Sequence, residues 1–375
     1  MTAPRRVEQR LTVIDDQIRK KVLEVLEQTP YYAGPETAAF EREVAAYCET
    51  GCGVAANSGT SALLLALMAL GIGSGDEVIL PTHTFVSVLE SVLAVGATPV
   101  LSDVEQDGNL SRDIVERHLS GRTRALIPVH MYGHPVEMDP VLELARERDL
   151  LVIEDAAHAL GARYRGRRVG GLAHVGFFSF AGKSITVCGQ AGMAVTGAAE
   201  LAETMASLRV HGWRQRLGNV WHLAERVGLN LRTSELLSAI GRLNLTRLDG
   251  WTAARAANAA QLSALLAERE VPVEIPRARD GCEPGWLHYV IRAPQRDELK
   301  AFLAERGVET NIHYRLPLHR QPAFAEFSPG PQAFPVAEGL WREILTLPSH
   351  PWLSGDDLHY VADMVAAFYR KKGEL

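Results

Sequence analysis

A single lysine stands in the stretch FFSFAGKSITVCGQAG, residues 177–192. Aromatic and small residues surround Lys183, and no carboxylate falls in the window to pair with it. Partial desolvation of such an amine favours its neutral, nucleophilic form. A second group lies upstream in LLVIEDAAHALGA, residues 150–162, where an apolar run delivers Glu154 and Asp155. If that run is a strand of an open parallel sheet, ligands bind beyond its carboxyl end. Side-chain alternation then turns the two acids to opposite faces, so only one points into a given site. A helix N-cap or a structural ion pair is the competing reading of the pair. The third group is NSGTSALLLAL, residues 57–67. Asn57, Ser58, Gly59, Thr60 and Ser61 precede an apolar helix. Gly59 lets backbone approach a ligand, and the hydroxyls with the first N–H groups make an anion site, plain N-capping being the alternative.

Each signal alone is weak, but the three together match one cofactor. Pyridoxal 5′-phosphate needs donors for its phosphate, a carboxylate that keeps its pyridine nitrogen protonated, and a lysine for a Schiff base with its aldehyde. Other motifs carry less. GIGSGD (71–76) contains a GxGxG but follows a helix and precedes a strand, the reverse of a dinucleotide site, so it reads as a turn. No GxxxxGK occurs, which excludes a nucleotide P-loop. HMYGH (130–134) has two histidines four apart; Gly133 and Pro135 argue for a loop, and no carboxylate partner is evident from the sequence, against a metal site. RYRGRR (163–168) offers charge for a phosphate-bearing substrate, but a hairpin turn around Gly166 is the better reading.

These groups need a scaffold. From about residue 53 to 197 strands and helices alternate: helices over 60–70, 85–96, 111–120 and 138–149, strands over 76–81, 98–103, 123–130 and 150–157. That order predicts βαβ units and a mostly parallel sheet, and its strands are apolar throughout, as strands covered on both faces are. A helix over 198–212 follows, then a basic, irregular segment to about Arg232, then one long helical run over 234–268. Beyond it GWLHYVIRA, RDELKAFLAERG and VETNIHY read as strand, helix, strand. The expected organisation is a large cofactor-binding α/β domain over 1–250, including an N-terminal segment, and a small α+β domain over 251–375.

The 375 residues, 47% hydrophobic and 22% charged, suit a globular chain with a sizeable core. A net charge of −6 disfavours nucleic acid and anionic membrane as partners. No apolar run has the length of a membrane span and no signal-peptide core is visible at the start, so a cytoplasmic location is expected. Four cysteines (48, 52, 188 and 282) in so long a chain are no disulfide framework, and Cys48 with Cys52 lacks a second zinc-ligand pair.

The chain resembles the DegT/StrS family of sugar aminotransferases, which have the fold type I pyridoxal-phosphate architecture. The likeness runs from about Tyr32 onward. It rests on NSGTSAL, GSGDEVILPTHTFV, IPVHMYGHPVEMDP, VIEDAAHALGARYRGRRVG, FFSFAGKSITVCGQAGM, LRVHGW, GLNLRTSELLSAI and HYRLPLH, in that order. The resemblance implies that Lys183 holds the cofactor and later moves protons at the substrate carbon. It implies that Asp155 is the acid on the pyridine nitrogen, that Phe85 stacks on the ring, and that Ser58, Gly59, Thr60 and Ser179 hold the phosphate. His158 stands where many relatives carry glutamine, near the ring hydroxyl. Asn230 matches a residue reaching the phosphate of a neighbouring subunit, which implies a homodimer with shared sites. His313, Tyr314 and Arg232 fall on the substrate side.

Two departures stand out. From Ser179 to Lys183 the chain advances four residues where relatives usually have five, and GQAG with Gln190 replaces the usual GEGG. A lysine at 183 argues against relatives that dehydrate, some of which carry histidine there. The expected reaction is a two-step transamination from glutamate or glutamine to a keto sugar or keto-cyclitol. The alternatives are another pyridoxal-phosphate reaction on a sugar, dehydration or oxidation, or a cofactor-binding regulator without turnover. A nicotinamide dehydrogenase is disfavoured because no properly placed GxGxxG exists.

Overall fold

The computed structural model describes residues 5–9, 14–27, 31–32, 34–181, 189–213 and 223–373. Lys183 and Cys188 lie outside them. In chain order the strands are β1 (Cys52–Ala56), β2 (Glu77–Pro81), β3 (Thr98–Ser102), β4 (Thr123–Leu126), β5 (Leu151–Asp155), β6 (Arg163–Tyr164), β7 (Arg167–Arg168), β8 (Val175–Ser179), β9 (Gly192–Thr196), β10 (Cys282–Glu283), β11 (Tyr289–Arg292) and β12 (Ile344–Leu347). The helices are α1 (Asp16–Leu26), α2 (Pro35–Tyr47), α3 (Gly59–Ala69), α4 (Val86–Ala94), α5 (Arg112–Glu116), α6 (Met138–Glu147), α7 (Ala199–Leu208), α8 (Glu235–Leu245), α9 (Leu248–Glu268), α10 (Arg296–Glu305), α11 (Pro335–Glu343) and α12 (Gly355–Lys372).

Seven strands form the central sheet in the order β1-β9-β8-β5-β4-β2-β3. Only β9 runs against the others, pairing antiparallel with both β1 and β8. Alternation along the strands feeds two cores. Ile153 and Phe177 enter the one built on α3, α4 and α7, while Val152 and Phe178 enter the one built on α2, α6 and the start of α9. A third core joins α9, α10 and α12 to the β11–β12 pair. Val7 belongs to this third core, where it pairs with Val308.

The elements that carry the site follow from local chemistry. Ser58 caps α3, and the helix ends where Gly71 takes φ +72 and Ile72 N–H returns to the Leu67 carbonyl, a glycine-dependent C-terminal stop. The expected hairpin at RYRGRR is present: β6 and β7 join through Arg165 (φ +49) and Gly166 (φ +77). Its arginines are bound to acids of this chain, Arg165 to Asp139 at 2.5 Å and Arg168 to Asp249 at 2.7 Å.

Three sequence expectations need correction. The run over 234–268 is two helices, α8 and α9, broken at Thr246–Arg247, where the Thr246 hydroxyl bonds back to the Leu243 carbonyl at 2.7 Å. VETNIHY is no ladder strand; it makes single bridges, Val308 to Val7 and Asn311 to Thr346, and β11 pairs instead with β12. The helix expected over 111–120 is confined to α5.

Candidate functional site

The end of β8 and the start of β9 press against the entry to α3. A Cβ added to Gly59 would lie 2.7 Å from the Ser179 Cβ, and one added to Gly192 would lie 2.2 Å from the Ser58 carbonyl oxygen. Only glycine permits that approach. Ser58 Oγ accepts the Ser61 N–H at 3.1 Å, and Ser61 Oγ donates to Asn57 Oδ1 at 2.6 Å. The N–H groups of Gly59 and Thr60 have no acceptor within the helix, and the helix dipole adds partial positive charge at this end. The cradle therefore suits a phosphate.

β5 brings both acids to the same edge, with Asp155 in register with Phe177 of β8. They have different environments. Glu154 is fully buried on the far face, where it accepts N–H bonds from Gly170 (2.7 Å), Leu172 (2.6 Å) and Ala173 (2.7 Å) and faces His130 Nε2 at 3.1 Å. His130 thus has the carboxylate partner that the sequence did not reveal. Asp155 is 5% exposed; its side chain takes the Ala157 N–H at 3.0 Å. No lysine or arginine among the described residues pairs with it. Burial pushes its carboxyl up to about 6, only partly opposed by the Ala157 N–H and by His130. A desolvated acid without a cationic partner is suited to receive one. A protonated pyridine nitrogen is such a group.

Beyond β5, His158 meets Tyr314 from the C-terminal part of the chain. Its Nε2 lies 3.1 Å from the Tyr314 hydroxyl, and the two rings stack with centroids 6.1 Å apart. Tyr314 also packs against Phe85 at 5.7 Å. Phe85 caps α4 and leaves 44% of its surface exposed. Behind this wall the rings of His288 and His313 stack at 4.0 Å, His313 Nδ1 bonds Thr346 Oγ1 at 2.9 Å, and the Tyr132 hydroxyl joins the His313 carbonyl (3.0 Å) to His83 Nε2 (2.5 Å). The loop carrying Phe85 is held by a buried chain: Thr82 Oγ1 to His319 Nδ1 at 2.7 Å, then His319 Nε2 to Glu338 Oε1 at 2.8 Å. Sequence reasoning passed over His83, His288, Thr82 and Glu338. His83 lies inside the quoted GSGDEVILPTHTFV, but nothing in its spacing marks it.

The structure therefore brings Ser58, Gly59 and Ser179 together, and separately Asp155, His158, Tyr314 and Phe85 beside them. Thr60 is exposed one position into α3. Asn230 is exposed and accepts the Arg232 Nε–H at 3.0 Å, while the Arg232 guanidinium covers the Tyr32 ring at 4.6 Å. Leu231 between them takes the Asn57 N–H at 2.9 Å, so this segment runs alongside the cradle. Among the described residues no group of three or more histidine, cysteine, aspartate or glutamate side chains is arranged to hold a metal ion. Cradle, aromatic face and buried acid fit pyridoxal 5′-phosphate.

The same conclusion comes from comparison. The model of the DegT/DnrJ/EryC1/StrS aminotransferase family matches residues 12–366. The chain is 43% identical over 347 residues to the dTDP-3-amino-3,4,6-trideoxy-alpha-D-glucose transaminase of Streptomyces venezuelae, covering 92% of this chain and 90% of that protein. It is 41% identical over 336 residues to the erythromycin biosynthesis sensory transduction protein EryC1 of Saccharopolyspora erythraea, covering 88% and 89%. The crystal structure of S. venezuelae DesV in complex with a ketimine intermediate superposes with a TM-score of 0.90 at 41% identity over 94% of each chain.

Proposed function

The chain belongs to the DegT/DnrJ/EryC1/StrS aminotransferase family, and from that premise we propose that it moves an amino group from glutamate or glutamine to a ketone on a nucleotide-linked sugar. It is a pyridoxal-phosphate transaminase. A free keto-cyclitol is the alternative acceptor. The observation that carries the reading is Asp155: a buried carboxylate at the carboxyl end of a central strand, beside an anion cradle, with no cation of its own.

When bound, the cofactor supplies a carbonyl carbon and an electron-accepting ring that carry the amino group between donor and acceptor. Ser58, Gly59, Thr60 and Ser179 hold its phosphate. Asp155 would keep the ring nitrogen protonated by facing it with a carboxylate that no lysine or arginine among the described residues neutralises. Phe85 covers one face of the ring, and His158, held by the Tyr314 hydroxyl, faces the ring hydroxyl. Lys183, outside the described residues, would anchor the cofactor and serve as the base that moves the proton at the substrate carbon. Proton transfer by a positioned base is typically worth about 10²–10⁴-fold. Tyr314 and Arg232 are the residues assigned to the substrate side; His313, expected there from the sequence, is buried behind Tyr314 with its ring nitrogens on Thr346 and Asn311, and supports that wall instead.

Two copies complete the enzyme in this reading. Asn230 is exposed, as are Val227 (88%), Leu229, Tyr31 and Tyr32 near it, an apolar surround that a second subunit would cover. Asn230 then reaches the partner's phosphate. Among the described residues no helix is long and apolar enough to cross a membrane, in keeping with a site of action in the cytoplasm.

The decisive assay follows label from [15N-amino]glutamate and [15N-amide]glutamine into a panel of nucleotide-linked keto sugars. Transfer is expected from one of the two donors. Consumption of keto sugar without label transfer would replace transamination by dehydration or oxidation. Borohydride trapping should attach the cofactor to the parent chain and not to Lys183→Ala; an adduct surviving in that variant would overturn the assignment of the lysine.

A further inference from the structure

Four arginines are buried among the described residues: Arg168, Arg209, Arg255 and Arg296. Three have acids. Arg168 pairs with Asp249, Arg209 with Glu41 and Arg296 with Asp297. Arg255 has none. It sits in the first half of α9 with 7% of its surface exposed, and neither its Nε nor its Nη1 has a hydrogen-bond partner. Burial alone acts on its charge and pushes it down to about 9, so the guanidinium is still cationic at neutral pH with no acid within electrostatic reach. A buried charge of this kind is costly unless something neutralises it.

The surroundings supply a further donor, and the nearby carboxylate, Asp249 one turn before Thr252, is already engaged by Arg168 at 2.7 Å and the Tyr47 hydroxyl at 2.6 Å. Thr252, three residues earlier and therefore on the same helix face, has a buried hydroxyl that also lacks a partner. It lies against the turn after β5, where a Cβ at Gly161 would come within 2.8 Å of the Thr252 Oγ1. On the other side is His350, whose carbonyl takes the Asn258 amide at 3.0 Å. Burial and then the Arg255 charge keep His350 below the usual imidazole range. Glu8 and Asp357 act on His350 but not on Arg255.

We propose that Arg255, with the Thr252 hydroxyl, holds a small monovalent anion, either chloride or the carboxylate of a small acid, in the seam between the 159–161 turn of the large domain and the 350–352 segment of the small domain. The anion replaces the acid partner that the other buried arginines have, and guanidinium and hydroxyl supply its hydrogen bonds. Only a small anion suits a site with so little exposed surface. Because it bridges segments from both domains, its occupancy ties them together. The inference is independent of the reaction proposed above.

The test is thermal unfolding of the pyridoxal-phosphate-loaded protein at fixed ionic strength, with chloride or acetate replacing isethionate, a larger anion. At about ten times the dissociation constant the midpoint should have risen by about 2 °C, and it should keep rising with the logarithm of anion concentration. Trp251 and Trp352, whose rings meet at 5.6 Å beside the site, should report the same titration in their emission. A response to chloride alone identifies an inorganic anion; a stronger response to acetate identifies a carboxylate. In Arg255→Met the anion-dependent rise should vanish while the midpoint in isethionate is equal or higher, since an uncompensated charge has been removed. Thr252→Val, a smaller change, should keep the fold and weaken the half-saturating concentration several-fold. No difference between the anions, or a difference that survives in Arg255→Met, would overturn the proposal.

Discussion

At the scale of the residue, one strand carries two acids with opposite fates, and that contrast yields two predictions. The ordinary carboxyl value for Asp155 is 3.8 and its folded value is pushed up to about 6. In the cofactor-free chain, the stabilising effect of its protonation is therefore complete below about pH 4 and lost as pH rises through about 6. The gap corresponds to roughly 3 kcal/mol. Asp155→Asn should make the cofactor-free protein as stable as the parent at pH 4 and more stable at pH 7.5, by thermal unfolding. It should also weaken pyridoxal-phosphate affinity by at least about 100-fold, read by absorbance titration, since the ion pair with the ring is gone. Glu154 has a structural role instead. Its charge is surrounded by three N–H donors and a histidine, so Glu154→Leu should lose about 3–5 kcal/mol of stability in denaturant unfolding by stranding those donors. The alternation rule was enough to say that the two acids face apart. It could not say which one faces the cofactor, because the answer depends on the 170–173 loop folding under the sheet, a contact that no spacing in LLVIEDAAHALGA encodes.

At the scale of the element, the helix-strand alternation was legible because β2, β3, β4 and β5 each carry a short buried apolar segment between capped or apolar helices, even though α5 is only five residues. The strands that complete the sheet were not. CGVAA, VGFFS and GMAVT contain glycines, which weaken strand propensity, yet these glycines are required by packing. A Cβ at Gly53 would lie 2.5 Å from the Glu41 carbonyl oxygen and one at Gly176 would lie 2.1 Å from that of Gly170. Close approach of neighbouring backbone, invisible in one sequence, overrode the local signal. The same logic makes the cradle testable. Gly59→Ala forces its new methyl into Ser179 and should raise the dissociation constant for pyridoxal phosphate more than 10-fold while shifting the unfolding midpoint of the cofactor-free protein only slightly. Ser58→Ala removes the α3 cap and should cost about 1 kcal/mol of stability.

At the scale of the whole molecule, the site is assembled from distant parts of the chain, with Tyr314 and His319 reaching His158 and Thr82. A dimer with shared sites makes a further demand. Mixed subunits of Lys183→Ala and Asn230→Asp, each nearly inactive alone, should regain roughly a quarter of the parent activity, because half of the random pairs are mixed and one of their two sites is intact. If Asn230 serves its own subunit's phosphate instead, the mixture stays inactive. The sequence indicated this arrangement only through resemblance; the exposed apolar residues around Asn230 show in the structure because folding separates them from the cores.

Val7 gives its N–H to the Gly307 carbonyl and accepts that of Glu309, while Arg5 reaches Asp357. A ribosome therefore finishes some 300 residues between making this segment and making the slot that receives it. Nascent chains therefore carry this strap undocked until residues 307–309 have been made, late in translation.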